Sequence, residues 1–405
     1  MHDPRIDETL ASQGGTPVRG RFLPIAVPSI GARERALVLE ALDSGWITTG
    51  PKTAELACKL AGLAGTRHAV CVNSATGALH LALEAMGVGP GDEVITSTYT
   101  FAATVNVIEH VRATPVLVDV EPDTLCFDPA RVAEAITPRT KVVLSVDYGG
   151  HPCDYDALHA LTRPRGIRIV DDAAHSLGAA VGDIPVGSSR LADVTAYSFY
   201  ATKNLSTGEG GAAVTDDDAL AERIQLLSLH GMSRDAWKRY SDTGSWYYEV
   251  VAPGWKYNMS DVLAAIGLGQ LERFEASQAR RRAIVARYRE GFAGCDAVRL
   301  PIERPGVTHA WHLFPIALEL ERLSIDRGRF IQELRAENIG TSVHFIPIHR
   351  HPHFREALGV RAESFPVAED AYARAVTLPL FADMTDTDVD DVVIAVRRIA
   401  RAFRR

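Results

Sequence analysis

The chain has 405 residues, 46% hydrophobic and 23% charged, with 43 Lys and Arg against 51 Asp and Glu for a formal net charge of −8. This is a soluble globular composition, long enough for a large core and two domains. The negative balance argues against DNA or an anionic membrane as the main partner.

Residues 1–21 lack the apolar core of a secretory signal and read as a flexible arm. No apolar run is long enough to span a bilayer. Five cysteines (Cys58, Cys71, Cys126, Cys153, Cys295) lie far apart without a CxxC, as free thiols in a reducing compartment do. A cytoplasmic protein is expected, so the triplets Asn204-Leu-Ser and Asn258-Met-Ser count as chance matches to the glycosylation signal.

From about residue 50 to 215, short β-rich runs alternate with helix-length segments. The predicted strands are Ala69–Asn73, Glu93–Ser97, Pro115–Val120, Lys141–Val146, Ile167–Asp171, Val194–Ser198 and Ala212–Thr215. Helices are predicted at Gly77–Ala85 and Asp154–Leu161 between them. This alternation implies an α/β unit with a mostly parallel sheet of seven strands, and such sheets bind ligands at the carboxyl ends of their strands. A helix capped by Ser260 follows, with Leu263, Ile266, Gly267, Gln270, Leu271 and Phe274 on one packing stripe, and then a second helix at about Ala279–Gly291. The arginines of that helix (Arg280, Arg281, Arg282, Arg287, Arg289) and those at the C-terminus read as solvated faces. From about Val298 the texture changes. Strand-like runs at His312–Leu318 and Thr341–Phe345 and helices at Asp326–Glu337 and Asp386–Phe403 predict a smaller α+β domain. The expected division is a large domain at 22–297 and a small one at 298–405.

Four strand ends carry chemistry-bearing residues. Asn73-Ser-Ala-Thr-Gly opens a helix with small residues whose N–H groups suit an anion, though a plain helix cap would look the same. Phe101, after the strand EVITS, is either core or a flat face for a planar ligand. Asp171-Asp172-Ala-Ala-His175 ends the strand IRIV, and adjacent carboxylates rarely serve packing. Lys203 follows Ser198 at the end of VTAYSF, before a glycine-rich turn. An anion cradle, an aromatic plate, an acid and an amine are the groups that a pyridoxal phosphate (PLP) site needs. The cluster His344, His349, His351 and His353 has no standard zinc spacing and Pro352 interrupts it, so no metal is expected.

On these motifs the chain resembles the DegT/DnrJ/EryC1/StrS nucleotide-sugar aminotransferases, over roughly residues 22 to 403. The segments that carry the resemblance are Ser44-Gly-Trp-Ile-Thr-Thr-Gly-Pro51, Ser74-Ala-Thr-Gly-Ala-Leu79, Asp172-Ala-Ala-His175, Ser198-Phe-Tyr-Ala-Thr-Lys-Asn204 with Gly208-Glu-Gly-Gly211, Gly254-Trp-Lys-Tyr-Asn-Met259 and Val343-His-Phe-Ile-Pro-Ile-His349. The resemblance implies a fold-type I, aspartate-aminotransferase-like architecture and a PLP cofactor. It implies that Lys203 forms the internal aldimine and moves a proton, that Asp172 pairs with the pyridine nitrogen, and that His175 lies by the phenolic oxygen. It also implies that Phe101 stacks on the ring and that Ala75, Thr76 and Ser198 hold the phosphate. Asn258, or Lys256 in its place, reaches the neighbouring subunit's cofactor in a homodimer with shared sites. Trp46, Thr48, Lys256, His344, His349 and Arg350 are the implied substrate contacts.

The expected reaction moves an amino group from glutamate to C4 of a UDP- or dTDP-linked 4-keto-6-deoxy sugar. Amination at C3 is the alternative. A PLP-dependent sugar dehydratase would place histidine where Lys203 stands, and a silent regulatory homologue would not need Lys203, Asp172 and Phe101 together.

Overall fold

The computed structural model describes residues 3–233 and 247–405. Seven short runs form one sheet: β1 (His68–Val72), β2 (Glu93–Ser97), β3 (Thr114–Val118), β4 (Thr140–Val146), β5 (Arg168–Asp172), β6 (Val194–Ser198) and β7 (Gly211–Thr215). The order is β1-β7-β6-β5-β4-β2-β3. Strands β3, β2, β4, β5 and β6 run parallel, whereas β7 is antiparallel to both of its neighbours. The sheet is buried on both faces, which is why its strands read as nearly continuous apolar runs. Successive side chains still point to opposite faces. Val142 and Leu144 join one apolar cluster while Val143 between them joins the other.

Helix Asp261–Glu272 starts at Ser260, whose hydroxyl accepts from the Leu263 N–H. The expected stripe packs only in part: Gly267, Gln270 and Phe274 are buried and Leu263 and Leu271 lie against the first apolar cluster, but residues off the stripe are buried as well. Ala264, Ala265, Leu268 and Gly269 are buried while Leu263, Ile266 and Leu271 are only half-buried. The helix is enclosed on several sides because glycine permits close approach: a Cβ on Gly269 would lie 3.1 Å from the Glu34 Cα of helix Ala32–Asp43.

A smaller antiparallel sheet pairs Val298–Arg299, Phe314–Leu318 and Ala375–Leu378. The strand expected at Thr341–Phe345 does not form; only Ser342 bridges to Thr377. The His344 carbonyl accepts from the Tyr148 hydroxyl at 2.6 Å instead of a neighbouring strand, and just beyond the segment Ile348 N–H donates to Thr98 O at 2.8 Å. That segment becomes a wall tied to the large sheet.

Two expectations about the chain ends are corrected. The arm at residues 3–21 is clasped against the C-terminal helix, Asp386–Ala402, rather than free. Arg398 is only 1% exposed, and a buried guanidinium needs oxygen partners. It finds Arg5 O, Thr16 O, Glu8 and Glu337 at 2.8–3.1 Å. Leu10 and Leu23 join the second apolar core, as do Ile284, Val285, Tyr288 and Phe292. That core therefore starts inside helix Phe274–Gly291 and not at residue 298. Arg281 on this helix also turns inward, bonding Trp311 O and Leu380 O, so neither Arg281 nor Arg398 belongs to a solvated face.

Candidate active site

The carboxyl ends of β1, β2, β4, β5 and β6 open on one edge of the sheet. There a cavity of about 530 Å³ is lined by Ser74, Ala75, Thr76, Phe101, Asp172, His175, Ser198, Lys203, His312, His344 and Phe345. The edge is where doubly wound sheets place their ligands, because helix N-termini and loop backbones converge on it.

At one end sits the start of helix Ala75–Ala85. Ser74 is its N-cap: its hydroxyl accepts from Gly77 N–H at 3.0 Å and its carbonyl from Ala78 N–H at 3.1 Å. The first N–H groups of a helix have no intrahelical partner. Those of Ala75 and Thr76 are thus left to the cavity, at the positive end of the helix dipole, with the Ser198 side chain on the same lining.

At the other end is Asp172, the last residue of β5, with 7% exposure. Thr104 donates to its Oδ2 at 2.7 Å, while Oδ1 receives only Ala174 N–H at 3.3 Å, which leaves room for a further donor. Burial raises its pKa above the ordinary carboxylate value, against the Thr104 hydroxyl and the opposing charge of Lys203. Burial acts on Lys203 in the opposite sense, bringing its amine down to about 8, with Asp172 pulling it back up. Two oppositely charged groups thus share one desolvated space.

The sides are aromatic. Phe101 is 63% exposed, so the core reading of it fails, and its ring stands 6.1 Å from that of Phe345. His175 is buried; its Nδ1 accepts from Gly149 N–H at 3.2 Å, which puts its proton on Nε2. Burial, reinforced by the charge of Lys203, holds His175 well below its usual pKa, so it is neutral. His344 meets Thr377 Oγ1 at 3.0 Å and is likewise lowered by burial, to about 4.

Several predicted contacts lie elsewhere. His349 is buried between Thr98 Oγ1 at 2.6 Å and Glu369 Oε1 at 2.7 Å, and it stacks on Phe365. Arg350 grips the same carboxylate with both arms of its guanidinium and lies over Tyr372. Neither lines the cavity: the turn Ile348–Arg350 points them at helix Pro366–Arg374. His353 pairs with Glu109 at 2.7 Å, so the histidine cluster does not converge.

Trp46, Thr48, Lys256 and Asn258 gather outside this cavity. Asn258 bridges to Val72 at the end of β1 and donates to Thr49 Oγ1 at 2.6 Å, while Lys256 Nζ donates to its amide oxygen. Trp46 Nε1 donates to Thr49 O at 2.8 Å, and Thr48 O accepts from Asp261 N–H at 2.9 Å. Buried Asp261 organises the turn, taking the N–H groups of Gly50, Lys52 and Thr53 and the Thr53 hydroxyl. Leu39, Leu42 and Ile47, each at least 49% exposed, lie on the same stretch of chain.

Sequence reasoning missed Thr104, Asn204 and His312. The signal for His312 was present: a histidine opening the apolar run His312–Leu318 has no packing reason to be there. For Thr104, on the helix after Phe101, there was no signal short of the fold.

The arrangement is a phosphate-sized anion site, a carboxylate with a free acceptor position, an amine of lowered basicity and a flat apolar wall. It fits PLP: Asp172 Oδ1 can take the ring N–H and the Ala75–Thr76 turn the phosphate.

A model of the DegT/DnrJ/EryC1/StrS aminotransferase family matches residues 28–397. The chain is 48% identical over 384 residues to the spore coat polysaccharide biosynthesis protein SpsC of Bacillus subtilis (strain 168), covering 95% of this chain and 98% of that one. Among solved structures, it resembles the candidate sugar aminotransferase Spr1654 of Streptococcus pneumoniae in its PMP form, with TM-score 0.88, 37% identity and coverage of 94% and 99% of the two chains. It also resembles DesI, solved in the presence of its TDP-sugar product, with TM-score 0.86, 34% identity and coverage of 96% of each chain.

Proposed function

The chain belongs to the DegT/DnrJ/EryC1/StrS aminotransferase family and is a PLP-dependent sugar aminotransferase, and from that premise we propose that it transfers the amino group of glutamate to C4 of a UDP- or dTDP-linked 4-keto-6-deoxy sugar. The observation that carries the reading is the joint placement of Lys203, Asp172 and the open N–H groups of Ala75 and Thr76 on one cavity. DesI, solved with a TDP-sugar product, supports a nucleotide-linked substrate. The choice of C4 rests on His175 and on the sequence Gly254-Trp-Lys-Tyr-Asn258; His349 no longer supports it, because it is buried in packing.

Bound PLP supplies a protonated ring that withdraws electrons from the carbon losing or gaining the amino group. The chain does the rest. Ala75, Thr76 and Ser198 hold the phosphate. Asp172, steadied by Thr104, keeps a negative charge against the ring nitrogen. Phe101 covers the ring and excludes water. His175 donates Nε2–H toward the phenolic oxygen. Lys203, its amine lowered by burial to about 8, would move the proton between the substrate carbon and the cofactor, taking it from one and delivering it to the other. Arg350 is committed to Glu369, so the proposed cation for the diphosphate is Lys256, whose ammonium has the neutral Asn258 amide as its one partner among the described residues, reaching across the proposed dimer.

A screen of nucleotide-linked keto-sugars with glutamate tests this, with the new amine located by NMR. Free keto-sugar is expected to react at least roughly a hundredfold more slowly than its nucleotide-linked form, because charge-assisted contacts to the diphosphate position the reacting carbon. Equal rates would remove the nucleotide from the reading; an amine at C3 would overturn the C4 assignment.

The active unit is proposed to be a dimer. Leu39, Leu42 and Ile47 are exposed apolar side chains on the stretch of chain that leads to Thr49, the hydrogen-bond partner of Asn258, and exposed apolar groups suit an interface. Light scattering is expected to give twice the chain mass, and Ile47→Asp to give monomers that have lost activity. A fully active monomer at assay concentration would refute the shared site.

A further inference from the structure

His312 is not used by the mechanism above, although it lines the same cavity and is buried. The hydrogen bonds around it fix its state. Asn204, next to Lys203, donates its amide N–H groups to Ala310 O at 2.8 Å and Gln278 Oε1 at 3.3 Å. Those two acceptors orient the amide, so its oxygen faces His312 Nδ1, at 3.2 Å. Nδ1 must therefore carry the proton, and Nε2 is a bare lone pair. Burial, with His175 and Lys203 adjoining, also holds this ring well below its usual pKa.

The ring is held as firmly as its tautomer. His312 N–H donates to Gly149 O at 3.0 Å and Ala310 N–H to Gly150 O at 2.9 Å. Gly150 has φ +103°, and a Cβ there would lie 2.9 Å from His175 O, so glycine is required for this close approach. The N–H of the same Gly149 donates to His175. One residue thus sets two imidazoles whose centroids are 4.5 Å apart, and they present opposite polarity. His175 offers an N–H and His312 a lone pair.

The phenolic oxygen of the cofactor can use only the donor. A hydroxyl can use the acceptor, and a ketone cannot. We propose that His312 is a specificity-determining residue whose Nε2 accepts a hydrogen bond from the sugar hydroxyl adjacent to the reacting carbon. This deepens the reading of a keto-sugar acceptor and rests on it. Lys203 marks where the reacting carbon sits, so the neighbouring hydroxyl is the donor within reach of a side chain packed beside that amine. A site built to accept a hydroxyl penalises an analogue without one, because the buried acceptor is left unpaired.

The test compares wild type with His312→Phe and His312→Gln; the glutamine oxygen can stand where Nε2 stands. With ¹⁵N-histidine labelling of the PLP-bound protein, His312 is expected to be protonated at Nδ1, and its Nε2 resonance is expected to move when the nucleotide keto-sugar is added. In His312→Phe, kcat/KM for that sugar is expected to fall roughly tenfold to a hundredfold, with much of the loss restored in His312→Gln. The analogue lacking the adjacent hydroxyl is expected to show a similar loss in wild type and no further loss in the variant. The donor half-reaction with glutamate is expected to suffer at least tenfold less than the sugar half-reaction. A proton on Nε2, equal losses in the two half-reactions, or a variant that still separates the two sugars as wild type does would each overturn the proposal. A wild-type enzyme that accepts glutamate but aminates no keto-sugar would overturn it together with the substrate reading, and is recognised by that pattern alone.

Discussion

Lys203→Ala is expected to fold normally and to lose turnover by roughly four orders of magnitude or more. A positioned proton-transfer group alone contributes about 10²–10⁴, and the lysine is also the covalent anchor of the cofactor. The fold should survive because the side chain borders a cavity and is not part of an apolar core cluster. Three measurements separate chemistry from folding. Thermal unfolding of the variant should match wild type closely. Mass spectrometry after borohydride reduction should find cofactor mass on the peptide Tyr197–Gly211 in wild type and none there in the variant. Small exogenous amines should restore part of the lost rate. Lys203→Arg should not help, since a guanidinium stays protonated at any working pH. The native amine, lowered by burial to about 8, gains its free lone pair as pH rises through that value. The step in which it takes a proton is therefore expected to speed up from pH 7 toward pH 8 and level off above. Near-normal turnover in Lys203→Ala would sink the mechanism, whatever the family.

What could be read from the sequence follows from how local the cause is. The seven strands of the large sheet were legible because each is a short apolar run bounded by turn residues, and its ligand edge followed from strand–helix alternation. Lys203, Asp172, Phe101 and the Ser74 turn were legible because each lies at or just past a strand end and because an amine, an acid, an aromatic face and an anion turn make chemical sense together, although Phe101 and the turn taken singly fitted a core side chain and a plain helix cap. The strand expected at Thr341–Phe345 failed because its β-like composition said nothing of Tyr148, a distant residue that takes the His344 carbonyl, or of Thr98, which holds the chain at Ile348 just beyond it. His349 and Arg350 were misplaced for the same reason: their partner Glu369 lies on a helix whose docking no spacing reveals. Arg281 and Arg398 looked like surface charge because a helix pattern cannot show that carbonyls and the N-terminal arm supply their partners.

The second large effect is expected from Asp172→Asn, and it separates binding from chemistry. The replacement keeps the shape, and the Thr104 hydroxyl can still donate to its amide oxygen. The amide nitrogen then stands toward the ring nitrogen as a donor, where the carboxylate had been an acceptor. A donor there favours the unprotonated ring, and a neutral ring withdraws electrons poorly. A hydrogen bond to a charged group is worth about 1.5–3 kcal/mol, so cofactor affinity is expected to fall roughly tenfold to a hundredfold. The phosphate contacts at Ala75 and Thr76 are untouched, and excess PLP should refill the site. The chemical step is expected to fall further, by roughly three orders of magnitude, because the loss is felt where charge develops and not in the ground state. Single-turnover rates at saturating PLP measure that loss free of occupancy. An N-methylated PLP, whose ring nitrogen carries a fixed positive charge, should return part of the rate to the variant and none to wild type. If affinity collapses while the rate per bound cofactor stays at the wild-type value, Asp172 is an anchor and not the group that keeps the ring charged.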